Sequence, residues 1–440
     1  MDQQEHKLTC WRVLVFWLPL AATWIMMSLE GPFLSAVIAR MAEPKFNLAA
    51  YGVAFSFVLI FEAPIIMIMS AATALAKDRD SFLKMRNFTC ALIGLVTAGM
   101  ALGLLPSVFY FLAGRLIGLP EDVARLTHLT AVLMLPWPGA IGYRRLYQGL
   151  LIRHNRTRNV AYGTVIRLIT MAASGLILHL YTPLAGAFVG AAAMTVGVTF
   201  EAAAARLMAR NVVRGLLSEP AAAQPVETAL TYRSISQFYY PLALTSLLAL
   251  GVRPMVIFFV GQSRMGLESL AVLPVIHALV FLFLSLGLSF QEAGIALLGE
   301  RHRHYLVLRN FSWGLGLATA GGLGLVGFTP VSALWFHHVS GLSLELTEFA
   351  VLPVQIMAFL PGFSVLLFFQ RAVLLNARLT QPITWATGLE VAVIVAVLFV
   401  GIHYLDAVGA VAAAAAMLLG RLAANALMFP PFFRALGQRG

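Results

Sequence analysis

Nine ionisable side chains stand inside long apolar stretches: Glu30, Glu62, Arg167, Glu201, Arg253, His277, Glu292, Glu390 and Arg421. A charge at the centre of a bilayer-spanning helix costs about 2.5–3.5 kcal/mol even on lenient insertion scales, so such groups normally face a bundle interior or a wet cavity. Glu30 and Arg253 are the sharpest pair, each just ahead of a proline, Pro32 and Pro254. Proline removes a backbone donor and kinks a helix, which bares carbonyls where a substrate or ion can bind. Arg253 suits two-pronged capture of a carboxylate or phosphate. Glu30, a desolvated carboxylate, suits the carriage of a coupling proton. A static salt bridge closing one gate is the plainer use of the same two residues.

The remaining groups divide by position. Glu62 precedes Ala63-Pro64 and is a third cavity carboxylate. His277 suits proton coupling, because imidazole titrates near neutral pH, although a lone His among apolar residues is more often a hydrogen-bonded interior group. Glu292, also a coupling candidate, follows Gln291 close to the end of its segment, where a solvated position is the simpler expectation. Glu201 and Arg421 come late in their segments, where snorkelling to the interface is available. The Arg144-Arg145 pair after Pro136-Trp137-Pro138 reads first as a topology determinant touching lipid phosphate, and second as the lining of a vestibule that concentrates anions.

These residues need helices to hold them. Of 440 residues 60% are hydrophobic and 11% charged, far from the roughly 25% charged of soluble domains. Every backbone polar group must be bonded internally in lipid, so a span takes about 20 apolar residues as helix. Twelve such segments are expected, over 11–40, 47–76, 87–113, 123–151, 159–181, 184–211, 235–261, 267–298, 309–336, 346–375, 381–404 and 407–433. The N-terminus and even-numbered connections hold most of the 30 Lys and Arg, whereas the odd connections hold only Arg40, Lys45, Arg115, Arg125 and Arg264. Both termini are therefore expected on the cytoplasmic side. The first segment starts too late and lacks a cleavage site for a secretory signal, so Met1 to Arg12 reads as a cytoplasmic stub. The polar stretch 212–234, with Glu219-Pro220 and Pro225, reads as a linker between an N-lobe of 1–211 and a C-lobe of 235–440.

The halves repeat one another. At an offset of 222, Phe16, Pro19, Leu20, Ala21 and Pro32 fall on Phe238, Pro241, Leu242, Ala243 and Pro254. At 223, Arg86-Asn87-Phe88 meets Arg309-Asn310-Phe311, Gly118-Leu119 meets Gly341-Leu342, Pro138-Gly139 meets Pro361-Gly362, and Thr157 meets Thr380. Gly186-Ala187, Met194 and Gly197 then fall on Gly409-Ala410, Met417 and Gly420. Six spans per copy is an even number, so the repeat is parallel, with its pseudo-two-fold along the membrane normal. Transporters with such repeats bind substrate near the bilayer midplane and rock one bundle against the other. In this register Arg167 and Glu390 are equivalent: either a cavity charge and counter-charge, or two structural partners of neighbouring helices.

The chain resembles the progressive ankylosis family within the multidrug/oligosaccharidyl-lipid/polysaccharide (MOP) exporter superfamily. The matching stretches are Phe16-Trp-Leu-Pro19-Leu20, Ala50-Tyr51-Gly52-Val-Ala54-Phe55-Ser56, Gln148-Gly149-Leu-Leu-Ile-Arg153-His154, Phe238-Tyr-Tyr-Pro241-Leu242-Ala243 and Arg253-Pro254-Met-Val. The resemblance implies two six-helix bundles in a V shape and export of small organic anions such as citrate, with ATP and pyrophosphate also proposed for that family. Two departures stand out: Ile65-Ile66-Met67-Ile68-Met69 follows Pro64 where relatives are more polar, and the first span lacks the Asp that prokaryotic multidrug extruders use for cation coupling, leaving Glu30 to substitute.

The expectation is an all-α, twelve-helix exporter of small organic anions, coupled to a proton or sodium gradient, monomeric and in a bacterial inner membrane. Alternatives on the same scaffold are a multidrug cation antiporter, resting on Glu30, Glu62 and Glu390, and a flippase for a lipid-linked saccharide. An enzyme is disfavoured, since the loops carry no cluster of His, Asp or Cys. Cys10 and Cys90 lie far apart with no metal-ligand spacing, so no metal and no cofactor are expected. The net charge of +11 is spread singly between apolar runs and does not read as a nucleic-acid surface.

Overall fold

The computed structural model describes residues 8–154, 156–218, 230–299, 302–377 and 379–437. Lys7, Arg301, Arg378, Arg439 and the Glu219–Pro225 part of the expected linker lie outside the described residues. Among those described there is no strand, only an isolated bridge between Arg264 and Val408, so the protein is all-α as its composition requires. In chain order the helices are α1 (Cys10–Ser28), α2 (Glu30–Ala39), α3 (Pro44–Glu62), α4 (Ile68–Leu75), α5 (Arg79–Gly103), α6 (Pro106–Tyr110), α7 (Glu121–Leu133), α8 (Trp137–Arg153), α9 (Thr157–Tyr181), α10 (Gly186–Met208), α11 (Arg210–Ser218), α12 (Tyr232–Gly261), α13 (Gly266–Leu297), α14 (Tyr305–Phe328), α15 (Val331–Ala333), α16 (Leu344–Met357), α17 (Leu360–Asn376), α18 (Gln381–His403) and α19 (Gly409–Gly437). Two π-helical turns, Phe111–Ile117 and Leu334–Val339, follow α6 and α15.

Among the described residues, eleven helical stretches are long and apolar enough to cross a membrane, which makes this a multi-pass membrane protein. The expected span 123–151 is not among them, because it is divided into α7 and α8 by a turn around Pro136. Two prolines two residues apart deny the ladder its donors and split the segment into two shorter helices. The expected linker also begins differently. Its first residues belong to α11, whose Val212, Val213 and Leu216 are buried as one apolar face.

The described residues fall into two compact units, one running from the N-terminus to Ala36 and again from Gln262 onward, the other Val37–Gly261. The partition thus differs from the sequence halves 1–211 and 235–440 in one respect, since each unit contains the other half's opening helix. In the first unit α1 packs on α13, where Trp17 donates its indole N–H to Ser289 Oγ at 2.8 Å. In the second, α12 lies against the break between α3 and α4. Pro64 interrupts that helix and leaves carbonyls without a ladder donor, and α12 supplies two hydroxyls: Ser246 Oγ donates to Ala63 O at 2.7 Å, and Tyr239 donates to Pro64 O. Lipid offers no partner for a bare carbonyl, so these hydroxyls satisfy what the proline leaves open.

The duplication is visible atom by atom. Each π-helical turn ends on a left-handed glycine, Gly118 (φ 81°) and Gly341 (φ 78°), a conformation that a Cβ resists. The next residue folds its N–H back by 2.9 Å in both copies, Leu119 to Ala113 O and Leu342 to Phe336 O. Asn47 Oδ1 accepts from the first turn of α10 at Ala187 N (2.8 Å), and Ser269 Oγ accepts likewise from Ala410 N of α19 (3.0 Å). Gly197 lets α10 approach Arg167 O and Met171 of α9; in the other unit Gly420 lets α19 approach Glu390 O and Ile394 of α18. A Cβ at Gly420 would stand 2.7 Å from Ile394 Cγ1 and one at Gly197 2.9 Å from Met171 Cβ, so each close crossing excludes a larger residue.

Candidate functional site

The largest buried cluster of charge lies in the Val37–Gly261 unit, where α8, α9, α10 and the end of α3 meet. Its centre is Glu201 on α10, 1% exposed. Arg144 of α8 donates Nη1–H to Glu201 Oε2, Gln148 one turn on donates Nε2–H to Oε1 at 3.1 Å, and Arg167 Nη1 of α9 stands 3.7 Å from Oε2. Gly163 on α9 leaves room for this carboxylate, since a Cβ there would lie 3.5 Å from Glu201 Cγ. Glu62 closes α3 and accepts the Trp137 indole N–H at 3.0 Å. The proline break puts Trp137 in the first turn of α8, so the feature that divides the span also aims this donor at Glu62.

An aromatic row joins the cluster to one further cation, and a second adjoins it in sequence. Arg167 stacks over the Trp137 ring at 5.9 Å, Trp137 meets Phe55 edge-on at 6.1 Å, and Arg253 of α12 stacks over Phe55 at 5.3 Å. Arg145, partly buried beside Arg144, directs Nη1 at Met69 Sδ at 3.6 Å, a weak acceptor. Buried arginines accept such placements because a guanidinium is weakly hydrated and stacks on aromatic faces. The cluster thus holds Arg144, Arg145, Arg167 and Arg253 against Glu62 and Glu201, an excess of positive charge in an apolar surround.

The other unit carries the duplicate with reversed sign. Arg421 of α19 donates Nε–H to Glu390 Oε1 of α18 at 2.8 Å and Nη1–H to Ser364 Oγ at 2.5 Å. Glu390 stands where Arg167 stands in the other copy, and Arg421 lies one turn before the position equivalent to Glu201, hence on the same helix face. Arg371 donates Nη2–H to Thr387 Oγ1 at 3.1 Å, and both arginines stack over Phe368 at about 6 Å.

Set against the sequence expectations, Arg167 and Glu390 each have a charged partner on a neighbouring helix of their own unit, Glu201 and Arg421. Glu201 and Arg421 each have an oppositely charged partner on an adjacent helix, Arg144 and Glu390, the first pair buried and the second half-buried. Arg144 is 4% exposed and bonded to Glu201, so it does not touch lipid phosphate as a topology determinant. Glu30, 6% exposed, opens α2 at the bend that follows α1, and the next residue, Gly31, comes so close to α13 that a Cβ would meet Ala278 Cβ at 3.0 Å. His277 is the neighbour of Ala278, so the bend bearing Glu30 crosses α13 at the turn bearing His277. Arg253 belongs to the other unit. Glu292 is exposed and accepts Trp24 Nε1–H at 3.3 Å. Gln148 and Trp137 were not singled out from sequence; their four- and seven-residue spacings from Arg144 on one amphipathic α8 face carried the available signal.

No protein-family profile and no curated protein sequence matches the chain. Solved structures do. It is similar to an inward-facing multidrug-resistance MATE family transporter of the MOP superfamily, with TM-score 0.74 and 13% identity over 95% of both chains. It is also similar to the lipid II flippase MurJ in an inward closed conformation, with TM-score 0.72 and 12% identity over 96% of this chain and 90% of that one. A third is a MOP superfamily transporter from Pyrococcus furiosus, reported to have a binding pocket of reversed polarity suggesting a different function, with TM-score 0.66 and 14% identity over 98% and 97%. The fold is therefore that of the MATE-like transporters of the MOP superfamily.

Proposed function

We propose that the chain is a secondary active transporter that exports small organic anions, citrate-like di- and tricarboxylates first among them. Nucleotides and pyrophosphate share the same chemistry. The observation that carries this reading is the excess of arginine around Trp137 and Phe55, made by half-buried Arg145 and Arg253 beside the buried Arg144 and Arg167. Four guanidiniums facing two carboxylates in a low-dielectric surround favour a multiply charged anion and repel a lipophilic cation. The fold supports alternating access about the repeat. Glu30 and His277, brought to one helix crossing, are the coupling pair for a proton or cation gradient, and the chain acts as a twelve-span monomer with both termini in the cytoplasm of a bacterial cell.

The test is uptake of radiolabelled citrate into inside-out vesicles, with and without an imposed pH gradient, beside an Arg253→Ala control. Gradient-dependent uptake that Arg253→Ala abolishes is the expected result. Efflux of a lipophilic cation with no citrate movement, and with Arg253→Ala tolerated, would transfer the function to drug extrusion. Movement of a lipid-linked saccharide alone would make the protein a flippase.

A further inference from the structure

A groove of about 500 Å³ opens on the Val37–Gly261 unit between α5, α8 and α10, lined by Cys90, Ile93, Pro136, Gly139, Ala140, Tyr143, Thr199, Ala202 and Ala203. The Pro136 turn sets α8 off the line of α7, and the alanines of α10 and Gly139 keep the floor shallow. Two of the three, α5 and α10, are helices long and apolar enough to cross a membrane, and the lining between them is mostly apolar.

The rim at one end is of a different character. One turn along the same face from the lining residues, α5 presents Arg86 (four before Cys90), α8 presents Tyr147 (four after Tyr143) and α10 presents Arg206 (four after Ala202). Because α5 runs opposite to α8 and α10, these three residues converge at a single end. The contacts of α8 and α10 agree: Arg206 stacks over the Tyr147 ring at 5.2 Å, and Tyr143 and Tyr147 meet edge-on at 4.8 Å. Both arginines are partly exposed, and neither belongs to the Glu201 cluster. Two cations at the mouth of an apolar groove, one of them held over the buried Tyr147 ring, match the two chemistries of a phospholipid, acyl chain below and phosphate above.

We propose that this groove is a specific site for one bilayer phospholipid with an anionic headgroup of the phosphatidylglycerol type, its acyl chain along Cys90, Pro136, Gly139 and Ala203 and its headgroup phosphate on Arg86 and Arg206. The site does not depend on what the transporter moves. The test is native mass spectrometry of the full-length protein in detergent, titrated with phosphatidylglycerol or with phosphatidylcholine of the same chains. One phosphatidylglycerol should be retained in preference to phosphatidylcholine, and the Arg86→Gln/Arg206→Gln variant should retain it about 30-fold less well, the two arginines acting independently near the surface. Ala203→Leu, which fills the groove and leaves the arginines in place, should also displace it. Equal retention of both lipids, or retention unchanged in both variants, would overturn the proposal.

Discussion

Glu201→Ala should be the most damaging single substitution in the protein, costing about 3–5 kcal/mol, because it strands Arg144 and Arg167 in the interior without their shared carboxylate. The carboxylate accepts from Arg144, Gln148 and, at longer range, Arg167, so its loss removes the acceptor for three groups on two helices. Thermal unfolding of the purified variant in detergent is the readout. Glu201→Gln should fall between wild type and alanine, since an amide oxygen still accepts one donor. A melting temperature within a degree or two of wild type for Glu201→Ala would mean that the arginines find other partners and that Glu201 does not hold the cluster together.

Arg145→Gln should do the reverse, sparing the fold and disabling transport. Its guanidinium has only a thioether sulfur as a hydrogen-bond acceptor at Nη1, so little native structure depends on it, whereas an arriving carboxylate would gain a charged donor. Loss of one hydrogen bond to a charged group predicts a KM for citrate raised about 10- to 100-fold, with the melting temperature close to wild type. An unchanged KM would remove Arg145 from the anion site. A collapse in stability equal to that of Glu201→Ala would make it a structural residue instead.

The all-α spanning character was legible from composition, and the repeat register from a few prolines, glycines and an Arg-Asn-Phe motif. The register matters most, because it aligns Gly118 with Gly341 and Asn47 with Ser269, pairs whose backbone roles coincide in the structure. Three things were hidden. The split of the span 123–151 was signalled by Pro136-Trp137-Pro138 but outweighed by its hydropathy, which does not report breaks. Arg144 was misjudged because a count of basic residues by loop records position along the chain and not depth or partner; its partner, Glu201, lies 57 residues away. For Glu201 and Arg421, distance from a span's end permits snorkelling, and position along the chain does not disclose the counter-charges on adjacent helices, Arg144 and Glu390. The exchange of opening helices had no signal at all, since an apolar helix face does not encode which neighbour it will cover.

That exchange bears on how the chain is made. The unit Val37–Gly261 is complete once α12 has left the ribosome, whereas α1 must wait for α13, more than two hundred residues later, a delay on the order of ten seconds or more at ordinary translation rates. During that interval α1 resides in the bilayer without the Ser289 hydroxyl that later receives the Trp17 indole. Ribosome-stalled chains ending shortly after Gly261 should therefore resist proteolysis across residues 37–261 while a cysteine introduced in α1 remains open to a membrane-permeant thiol reagent. Protection of that cysteine at the same length would show that α1 finds a temporary partner first. The order of helices along the chain, in this sense, sets a waiting time for the helix that leads into the bend at Glu30.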